Sequence, residues 1–475
     1  MKPSGNKPLQ PFLILLLTCS FLFLISSTDR YLCKYSTDIR HLNLFSEITK
    51  SSKKPKQIHT HSHKTHDENT QVAEVHKQID SLKIIDYGNN GSEGLAKFFE
   101  ALKNIKTKKK IRIAWFGDSM IEGDLITQDL RYFYQKKFGG AGVGIVPITS
   151  VTAGFRQTVQ HTFSENWTNK NLLEAKSKSD ALGITGFVFK PQTIQTLDTT
   201  NFNNKNLSWV KYRGCKKRGL DQFYHSKLFY GPSESDNFVH VDIKDKLNKN
   251  YSLTGKKLVN TLDINTESGY GEVTFSFIAH SKLPIYAVSF ESDSGVLLDN
   301  FSFSGNSGLP LTNITRDVLQ GFDQENNYDL IILQYGMNAV SPTATDYHWY
   351  ESGLDRMVKH IHASFPNASI LFIGVPDKGY KENGEYITNP GVPLVVEVEE
   401  KVAQQNGIAF WNLYQAMGGE NSMVQWADAD TALANKDYTH FNFRGANKVA
   451  NMLYKALDKE YSNYIKSTPN TKKPI

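Results

Sequence analysis

Apolar and polar positions predict two kinds of structure along this chain. Residues 111–116 are apolar at five of six positions, which is typical of a buried strand, and apolar residues at helical spacing follow at 125–138. A similar alternation of strands and helices returns after residue 296, which indicates a parallel sheet covered by helices. The predicted strands of this second part are 296–303, 329–334, 370–375 and 408–412, and its predicted helices are 314–320, 347–365, 395–405 and 443–457.

The stretch between these two parts has a different pattern. Short runs of β-forming residues recur between turn residues, and convincing amphipathic helices are missing, which indicates a β-sandwich. The predicted strands are 184–190, 207–212, 227–230, 238–243, 258–264, 272–279 and 285–291. We therefore expect a three-layer α/β domain formed by residues 81–154 and 296–465, with a β-sandwich inserted at 155–295 and a disordered tail at 466–475.

The N-terminal 27 residues have the pattern of an export signal or a membrane anchor. Lys2 and Lys7 precede an almost wholly apolar run at residues 11–25. An uncleaved anchor is favoured over a cleaved signal, and either one places the two lysines in the cytoplasm and carries the rest of the chain across the membrane. We therefore predict a protein that faces the periplasm or the cell exterior.

The next segment, residues 28–80, is polar and lacks periodicity, which predicts a flexible tether. It contains four histidines, at positions 59, 61, 63 and 66, whose spacing could trap a metal ion. They lack a carboxylate or cysteine framework, so a flexible tether remains the better interpretation.

Composition excludes several classes of protein. The net charge of +6 is small for 475 residues, and no basic stripe interleaved with aromatic residues predicts a nucleic-acid partner. Three cysteines exclude a disulfide scaffold or a cysteine-rich zinc site. Cys33 and Cys215 could pair in an oxidising compartment, although two isolated thiols are the favoured reading. The glycine-rich run at 138–147 lacks the Gly-Lys-Ser/Thr ending of a phosphate-binding loop, so it predicts a structural loop.

Chemically active residues follow the predicted strands of the α/β domain. Ser119 follows the first strand, Gly305 and Asn338 follow two later strands, and Asp437 with His440 precedes the last helix. Each has a structural explanation, because serine, aspartate and asparagine cap helices and glycine forms turns. However, the carboxyl ends of parallel strands meet at one sheet edge, where binding sites form. We therefore expect these residues to converge on one site.

The same residues resemble a known superfamily. Gly117-Asp118-Ser119, Gly305, Gly336-x-Asn338 and Asp437-x-x-His440 are similar to the four ordered blocks of the SGNH/GDSL hydrolases. Residues 117–124, 138–144 and 416–423, together with Trp426, resemble the bacterial peptidoglycan O-acetylesterase branch. That branch also carries a carbohydrate-binding-like β-sandwich between the serine and glycine blocks. Two positions depart from the common pattern, namely Ala339 in place of aspartate and Met120 after the serine.

The resemblance implies a flavodoxin-like fold and a serine esterase. Ser119 would be the nucleophile, His440 its general base and Asp437 the residue that orients His440. The backbone N–H groups of Ser119 and Gly305 and the Asn338 amide would form the oxyanion hole. No metal or organic cofactor is required.

The implied substrate is an O-acetylated polysaccharide of the cell envelope, with peptidoglycan as first choice. An acyltransferase that moves the acyl group onto a glycan is one alternative, and a non-catalytic glycan-binding protein is another. Trp167 and Trp209 in the insertion could form a sugar platform, but core packing is the favoured reading.

Overall fold

The computed structural model describes residues 83–88, 94–174, 181–194 and 207–468. The predicted anchor, the tether with its histidines, Cys19 and Cys33 lie outside these residues. Within the described part of the chain, no helix has the length and apolar character needed to cross a membrane. Cys215 is a free thiol in this part of the chain.

The described residues contain nineteen strands. In chain order they are β1 (Ile84–Asp86), β2 (Lys110–Gly117), β3 (Gly144–Pro147), β4 (Val159–Phe163), β5 (Thr168–Asn171), β6 (Phe187–Lys190), β7 (Ser208–Gly214), β8 (Phe223–Tyr230), β9 (Phe238–Ile243), β10 (Leu247–Ser252), β11 (Asn260–Tyr270), β12 (Glu272–Ile278), β13 (Ile285–Glu291), β14 (Gly295–Ser302), β15 (Tyr328–Gln334), β16 (Ser369–Ile373), β17 (Gly379–Glu382), β18 (Glu385–Thr388) and β19 (Ala409–Trp411).

The helices belong mainly to the two outer parts of the chain. They are α1 (Ala96–Lys103), α2 (Ile105–Lys108), α3 (Thr127–Phe138), α4 (Arg316–Asn326), α5 (His348–Ser364), α6 (Gly391–Gln405), α7 (Leu413–Met417), α8 (Ser422–Asp428) and α9 (Phe443–Ser467), and the 3₁₀ turns are Ser119–Asp124, Lys217–Gly219 and Leu309–Asn313.

A six-stranded sheet forms the centre of the α/β domain, in the order β1-β19-β16-β15-β2-β14. Its strands run parallel except β1, which pairs antiparallel with β19. Every residue of β15 and β16 is buried, because helices cover both faces of the sheet. Helices α1, α3 and α9 pack together as one group, and α4, α5 and α6 as another. The expected three-layer α/β architecture is therefore confirmed.

The predicted elements of this domain occur with shifted ends. Helix α4 begins at Arg316 and continues to Asn326, beyond its predicted end at 320, since its exposed polar face hides the periodicity. Helix α9 continues to Ser467, past the predicted end at 457 and into the tail that we predicted to be disordered from 466. Its last turns pack on α1, where the Tyr461 and Tyr464 rings each lie 5.8 Å from the Phe99 ring.

Two antiparallel sheets lie between the two parts of the α/β domain. One has the order β10-β9-β12-β7-β4, and the other has the order β11-β8-β13-β6-β5 with β3 on β13. They enclose a second apolar core with residues such as Val210, Phe275, Leu228 and Phe290. Trp167 packs against this core, with its ring 5.2 Å from Phe277 and its indole N–H donating to the Trp209 carbonyl.

The structure moves the start of the inserted sheets toward the N-terminus. We predicted the insertion from residue 155, but β3 at Gly144–Pro147 already pairs with β13. This strand follows the glycine-rich run, whose turn residues concealed it in the sequence. Its pairing is possible because Gly144 has φ +71° and lies so close to Leu298 and Asp299 that a Cβ would clash with them.

A buried ionic cluster joins the parallel sheet to the inserted sheets. The Arg112 guanidinium on β2 bonds Asp299 on β14 at 2.7 and 3.1 Å, and it pairs with Glu291 at the end of β13. It also donates to Ser289 at 2.9 Å. Although burial disfavours the charged form, Arg112 and nearby lysines lower the pKa of Glu291 to about 2. The two parts therefore share charge pairs that neither could satisfy alone.

Candidate active site

Ser119 lies at the carboxyl end of the central strand β2. The buried carboxylate of Asp118 accepts a hydrogen bond from the Met120 N–H at 3.0 Å and thereby caps the 3₁₀ turn Ser119–Asp124. The sequence predicted a helix from residue 125, whereas α3 begins at Thr127 after this extra turn. Ser119 itself is half-buried, so its hydroxyl sits at the surface of the sheet edge.

The structure brings Ser119, His440 and Asp437 together although 321 residues separate Ser119 from His440. The Ser119 Oγ lies 2.9 Å from His440 Nε2, and His440 Nδ1 lies 2.8 Å from Asp437 Oδ2. A hydroxyl, an imidazole and a carboxylate in this order form the arrangement of serine hydrolases. The sequence left open whether Asp437 caps the helix that follows it. The structure shows that Asn442 caps α9, because its side-chain oxygen accepts from the backbone N–H groups of Arg444 and Gly445.

The other oxygen of Asp437 fixes its orientation. Asp437 Oδ1 accepts from the backbone N–H groups of Thr439 at 2.9 Å and His440 at 3.0 Å. Burial raises the pKa of Asp437, but these bonds and the His440 ring outweigh it and lower the pKa below its usual value. The carboxylate therefore stays ionised and faces the imidazole.

The loops that carry Gly305 and Asn338 reach the same edge. The Asn338 side-chain amide donates to the Asn306 carbonyl at 3.0 Å and to Asp118 Oδ2 at 3.3 Å. These bonds link the loop after β15 to the loop after β14 and to the turn that carries the serine. Gly305 is exposed and has φ +73°, a conformation that glycine adopts without strain.

A buried carboxyl group supports the loop of Asn338 from below. Gly336 has φ +104°, and a Cβ built there would lie 2.3 Å from Glu399 Oε1. Glu399 is fully buried and accepts from the Val375 N–H at 2.7 Å through its other oxygen. Burial raises the pKa of Glu399 well above its usual value, which favours the protonated form. Only glycine fits between this carboxyl group and the loop.

Three titratable residues of the site were given no role by the sequence analysis. Burial raises the pKa of Asp118 to about 7, although the Met120 N–H and nearby His440 oppose the shift. Lys378 donates to the Met337 carbonyl at 3.1 Å and carries a positive charge close to Asp118. Lys378 follows β16, so the rule that identified Ser119 at a strand end applies to it as well. Burial also raises the pKa of Glu122, which lies near His440 and bonds Ser304.

The described residues offer no metal centre. No group of three or more His, Cys, Asp or Glu side chains among them is arranged to hold a metal ion.

Comparison with known proteins identifies the α/β domain. Residues 282–448 match the GDSL-like lipase/acylhydrolase family model. This match contains Gly305, Asn338, Asp437 and His440, and the structure adds Ser119 to them across the inserted sheets. Over these residues the α/β domain is similar to the GDSL-like lipase/acylhydrolase family. The predicted resemblance is therefore confirmed, and the chain is a serine ester hydrolase.

Solved structures resemble this chain to different extents. A structure titled "Peptidoglycan O-acetylesterase in action" matches with a TM-score of 0.63 and 22% identity, over 80% of this chain and 99% of that one. An acetyl xylan esterase matches at a TM-score of 0.25 and 18% identity, over 34% of this chain and 81% of that one. A family two carbohydrate esterase from Cellvibrio japonicus matches with a TM-score of 0.25 and 9% identity, over 65% of this chain and 99% of that one. Only the first is similar enough to support the fold. No curated protein matches the sequence.

Proposed function

We propose that this serine hydrolase removes O-acetyl groups from a cell-envelope polysaccharide, most directly peptidoglycan. The observation that carries the proposal is the continuous chain of hydrogen bonds from the Ser119 hydroxyl through His440 to Asp437. It stands at the edge where Asn338 and the Gly305 loop also meet.

The geometry supports a two-step mechanism. The Ser119 Oγ attacks the ester carbonyl while His440 Nε2, 2.9 Å away, takes its proton. His440 then delivers that proton to the departing sugar hydroxyl, which leaves an acetyl group on Ser119. Water, deprotonated by His440, releases acetate and restores the serine. Throughout, Asp437 holds the ring in the tautomer that accepts at Nε2 and stabilises its protonated form.

The negative oxygen of each tetrahedral intermediate needs donors. We assign the backbone N–H groups of Ser119 and Gly305 and the Asn338 side-chain amide to this role. The Asn338 amide is exposed at the edge, and its bond to Asp118 is long at 3.3 Å, so one of its hydrogens can turn to an oxyanion. Loss of one such donor typically costs about 3–4 kcal/mol of activation free energy.

The choice of substrate rests on sequence resemblance and on the shared fold. The resemblance of residues 117–124 and 416–423 to the peptidoglycan O-acetylesterase branch agrees with the activity named for the structure of the same fold. The proposal also includes export and a membrane anchor at residues 1–27, because the apolar run at 11–25 follows two lysines. Protease added to intact spheroplasts tests this part, since an anchored catalytic domain on the outer face of the membrane should be digested.

The catalytic proposal is tested with Ser119→Ala and O-acetylated peptidoglycan. Wild-type protein should remove acetyl groups, seen as loss of their mass from muropeptides and as free acetate. Ser119→Ala should retain its melting temperature and lose at least 1,000-fold of its activity, on the order expected when a nucleophile is removed. Acetyl groups that appear on an added oligosaccharide instead of as acetate would show acyl transfer. Full activity of Ser119→Ala would refute the mechanism.

A further inference from the structure

A cavity of about 350 Å³ lies between the hydrolase domain and the inserted sheets. We call it the interdomain cavity. Its hydrolase side consists of residues 122–124, shortly after Ser119, and 300–304, immediately before Gly305. Its other side comes from the insertion and includes Asn169, Asn171, Thr185 and Phe187. The mechanism above uses none of these side chains.

The cavity borders the catalytic residues. Glu122 lines its hydrolase side, is close enough to His440 to interact with its charge, and bonds Ser304. Ser304 precedes Gly305, whose N–H we assign to the oxyanion hole. Glu122 and Ser304 therefore lie both on the cavity lining and beside residues of the catalytic site.

The lining has the chemistry of a carbohydrate site. The Phe187 ring stacks on Phe303 with centroids 5.0 Å apart and planes at 27°, so an aromatic surface spans the two domains. Amide groups of Asn169 and Asn171 stand on the same lining. Aromatic rings pack against the C–H faces of sugars, and a few placed polar groups bind the hydroxyls.

The acidic side chains on the cavity lining are Asp124, which is paired with arginine, and Glu122, which lies near His440. Asp124 is bonded by Arg131 at 2.8 Å and by Arg156 at 3.3 Å, so its carboxylate is paired within the protein. Burial lowers the pKa of His161 to about 4, despite its hydrogen bond to the Ile148 carbonyl, so this ring is uncharged. Arg156 on the lining is already bonded to Asp124, and two carboxyl groups lie beside it, so an uncharged ligand fits better than an anion.

One buried hydroxyl on the cavity lining is not hydrogen-bonded to any described residue. Thr185 is 7% exposed and lines the cavity, and its Oγ1 has no hydrogen-bond partner among the described residues. Buried hydroxyls are nearly always hydrogen-bonded, and each exception calls for an explanation. A sugar hydroxyl in the cavity would provide the partner.

We propose that the interdomain cavity binds one uncharged sugar ring next to the acetylated one. This inference rests on the proposed function and deepens it, because it gives the insertion a direct part in substrate recognition. The volume lies at the lower end of the range for ligand pockets, which suits a single ring.

The variant Thr185→Val tests the inference, because it keeps the side-chain shape and removes only the unpaired hydroxyl. The melting temperature should not fall. The kcat/KM for an O-acetylated tetrasaccharide should fall about tenfold, as expected for loss of one hydrogen bond, while that for p-nitrophenyl acetate should change less than twofold. Thr274→Val, on a strand away from the cavity, is the matched control and should alter neither value.

Binding provides a measurement that is independent of catalysis. Saturation-transfer NMR on the Ser119→Ala protein should detect binding of at least one of three probes, which are oligosaccharides of de-O-acetylated peptidoglycan, of cellulose and of xylan. Adding Thr185→Val to that protein should weaken the binding of the probe. Oligosaccharide binding that Thr185→Val leaves unchanged would overturn the inference, as would no binding of any probe. A selective loss with p-nitrophenyl octanoate would assign the cavity to an acyl chain and overturn it too. Failure of the proposed function would appear differently, as full activity of Ser119→Ala.

Discussion

Replacement of Asp437 by asparagine isolates one carboxylate oxygen of the catalytic site. The new side-chain oxygen can still accept from the backbone N–H groups of Thr439 and His440, so the loop should keep its shape. The other position, 2.8 Å from His440 Nδ1, changes from an oxygen to an NH₂ group. That group cannot accept the ring proton and favours the tautomer whose Nε2 carries a proton. Nε2 then cannot accept from Ser119.

The size of the effect follows from the exposure of the pair. Two unit charges about 4 Å apart attract by about 1 kcal/mol in water and about 4 kcal/mol at an effective dielectric constant of about 20. The side chains of His440 and Asp437 are 38% and 49% exposed, so solvent screening reduces the value to about 2 kcal/mol. This is a roughly 30-fold loss of rate. The tautomer penalty adds to it, and we expect kcat to fall about 100- to 1,000-fold.

The assay compares kcat on p-nitrophenyl acetate for the wild type, Asp437→Asn and a matched control, Asp428→Asn. Asp428 lies in the same part of the chain, is half-exposed, and accepts from Lys436 at 2.6 Å and the Tyr438 hydroxyl at 2.9 Å. The asparagine side-chain oxygen can accept both hydrogen bonds, so the kcat of the control should fall less than twofold. Melting temperatures of the three proteins should agree within about 3 °C, because neither carboxylate is buried.

One result would refute this reasoning. The kcat of Asp437→Asn could fall less than threefold while Ser119→Ala is inactive. That result would show that His440 keeps its tautomer and charge without Asp437. The hydrogen bond at 2.8 Å would then be structural. A similar loss in Asp428→Asn would instead attribute the effect to the loop.

Two further predictions concern stability. Arg112→Leu leaves Glu291 and Asp299 buried without their guanidinium partner, so the free energy of unfolding should fall by about 3–5 kcal/mol. The pKa of Glu291 is lowered to about 2 in the folded protein. The stability that the ion pair contributes is therefore present above about pH 4.5 and is lost as the pH falls toward 2. The gap in melting temperature between wild type and variant should therefore narrow from pH 7 to pH 3, and an unchanged gap would contradict the assignment. Gly336→Ala should lower the free energy of unfolding, measured by chemical denaturation, by several kcal/mol, because its new Cβ meets a carboxyl oxygen. Gly305→Ala is the comparison, because no atom of the described residues lies within 4 Å of its new Cβ. It should lower the free energy of unfolding by only about 1–2 kcal/mol.

The site could be predicted from the sequence where one physical rule applied. Parallel strands are buried on both faces, so they read as apolar runs, and the residue after each run lies at one edge. That rule places Ser119, Gly305 and Asn338 at one edge of the sheet from the sequence alone. The same rule applied to β16 would have included Lys378, whose ammonium lies near Asp118. It was missed because a lysine after a strand usually faces water.

The inserted sheets were less predictable because several strands are polar. β5 has the sequence Thr-Asn-Lys-Asn and β10 has Leu-Asn-Lys-Asn-Tyr-Ser, and both are largely exposed. Such strands are specified by pairing with their neighbours rather than by an apolar pattern. The interdomain cavity was also invisible in the sequence, since its two sides come from segments that meet only after the sheets pack on the hydrolase domain.

The interruption of the hydrolase sequence is compensated by a buried carboxylate next to the nucleophile. Asp124 ends the 3₁₀ turn that begins at Ser119, is 1% exposed and has φ +70°, an unfavourable conformation for aspartate. It accepts from Arg131 and Thr127 of the hydrolase domain and from Arg156 and Thr158 of the insertion. An ionised carboxylate is stable in such a place only when donors surround it, and two of these four come from the insertion. The inserted sheets therefore help to hold the turn that positions Ser119, so the insertion is part of the catalytic framework as well as a wall of the cavity.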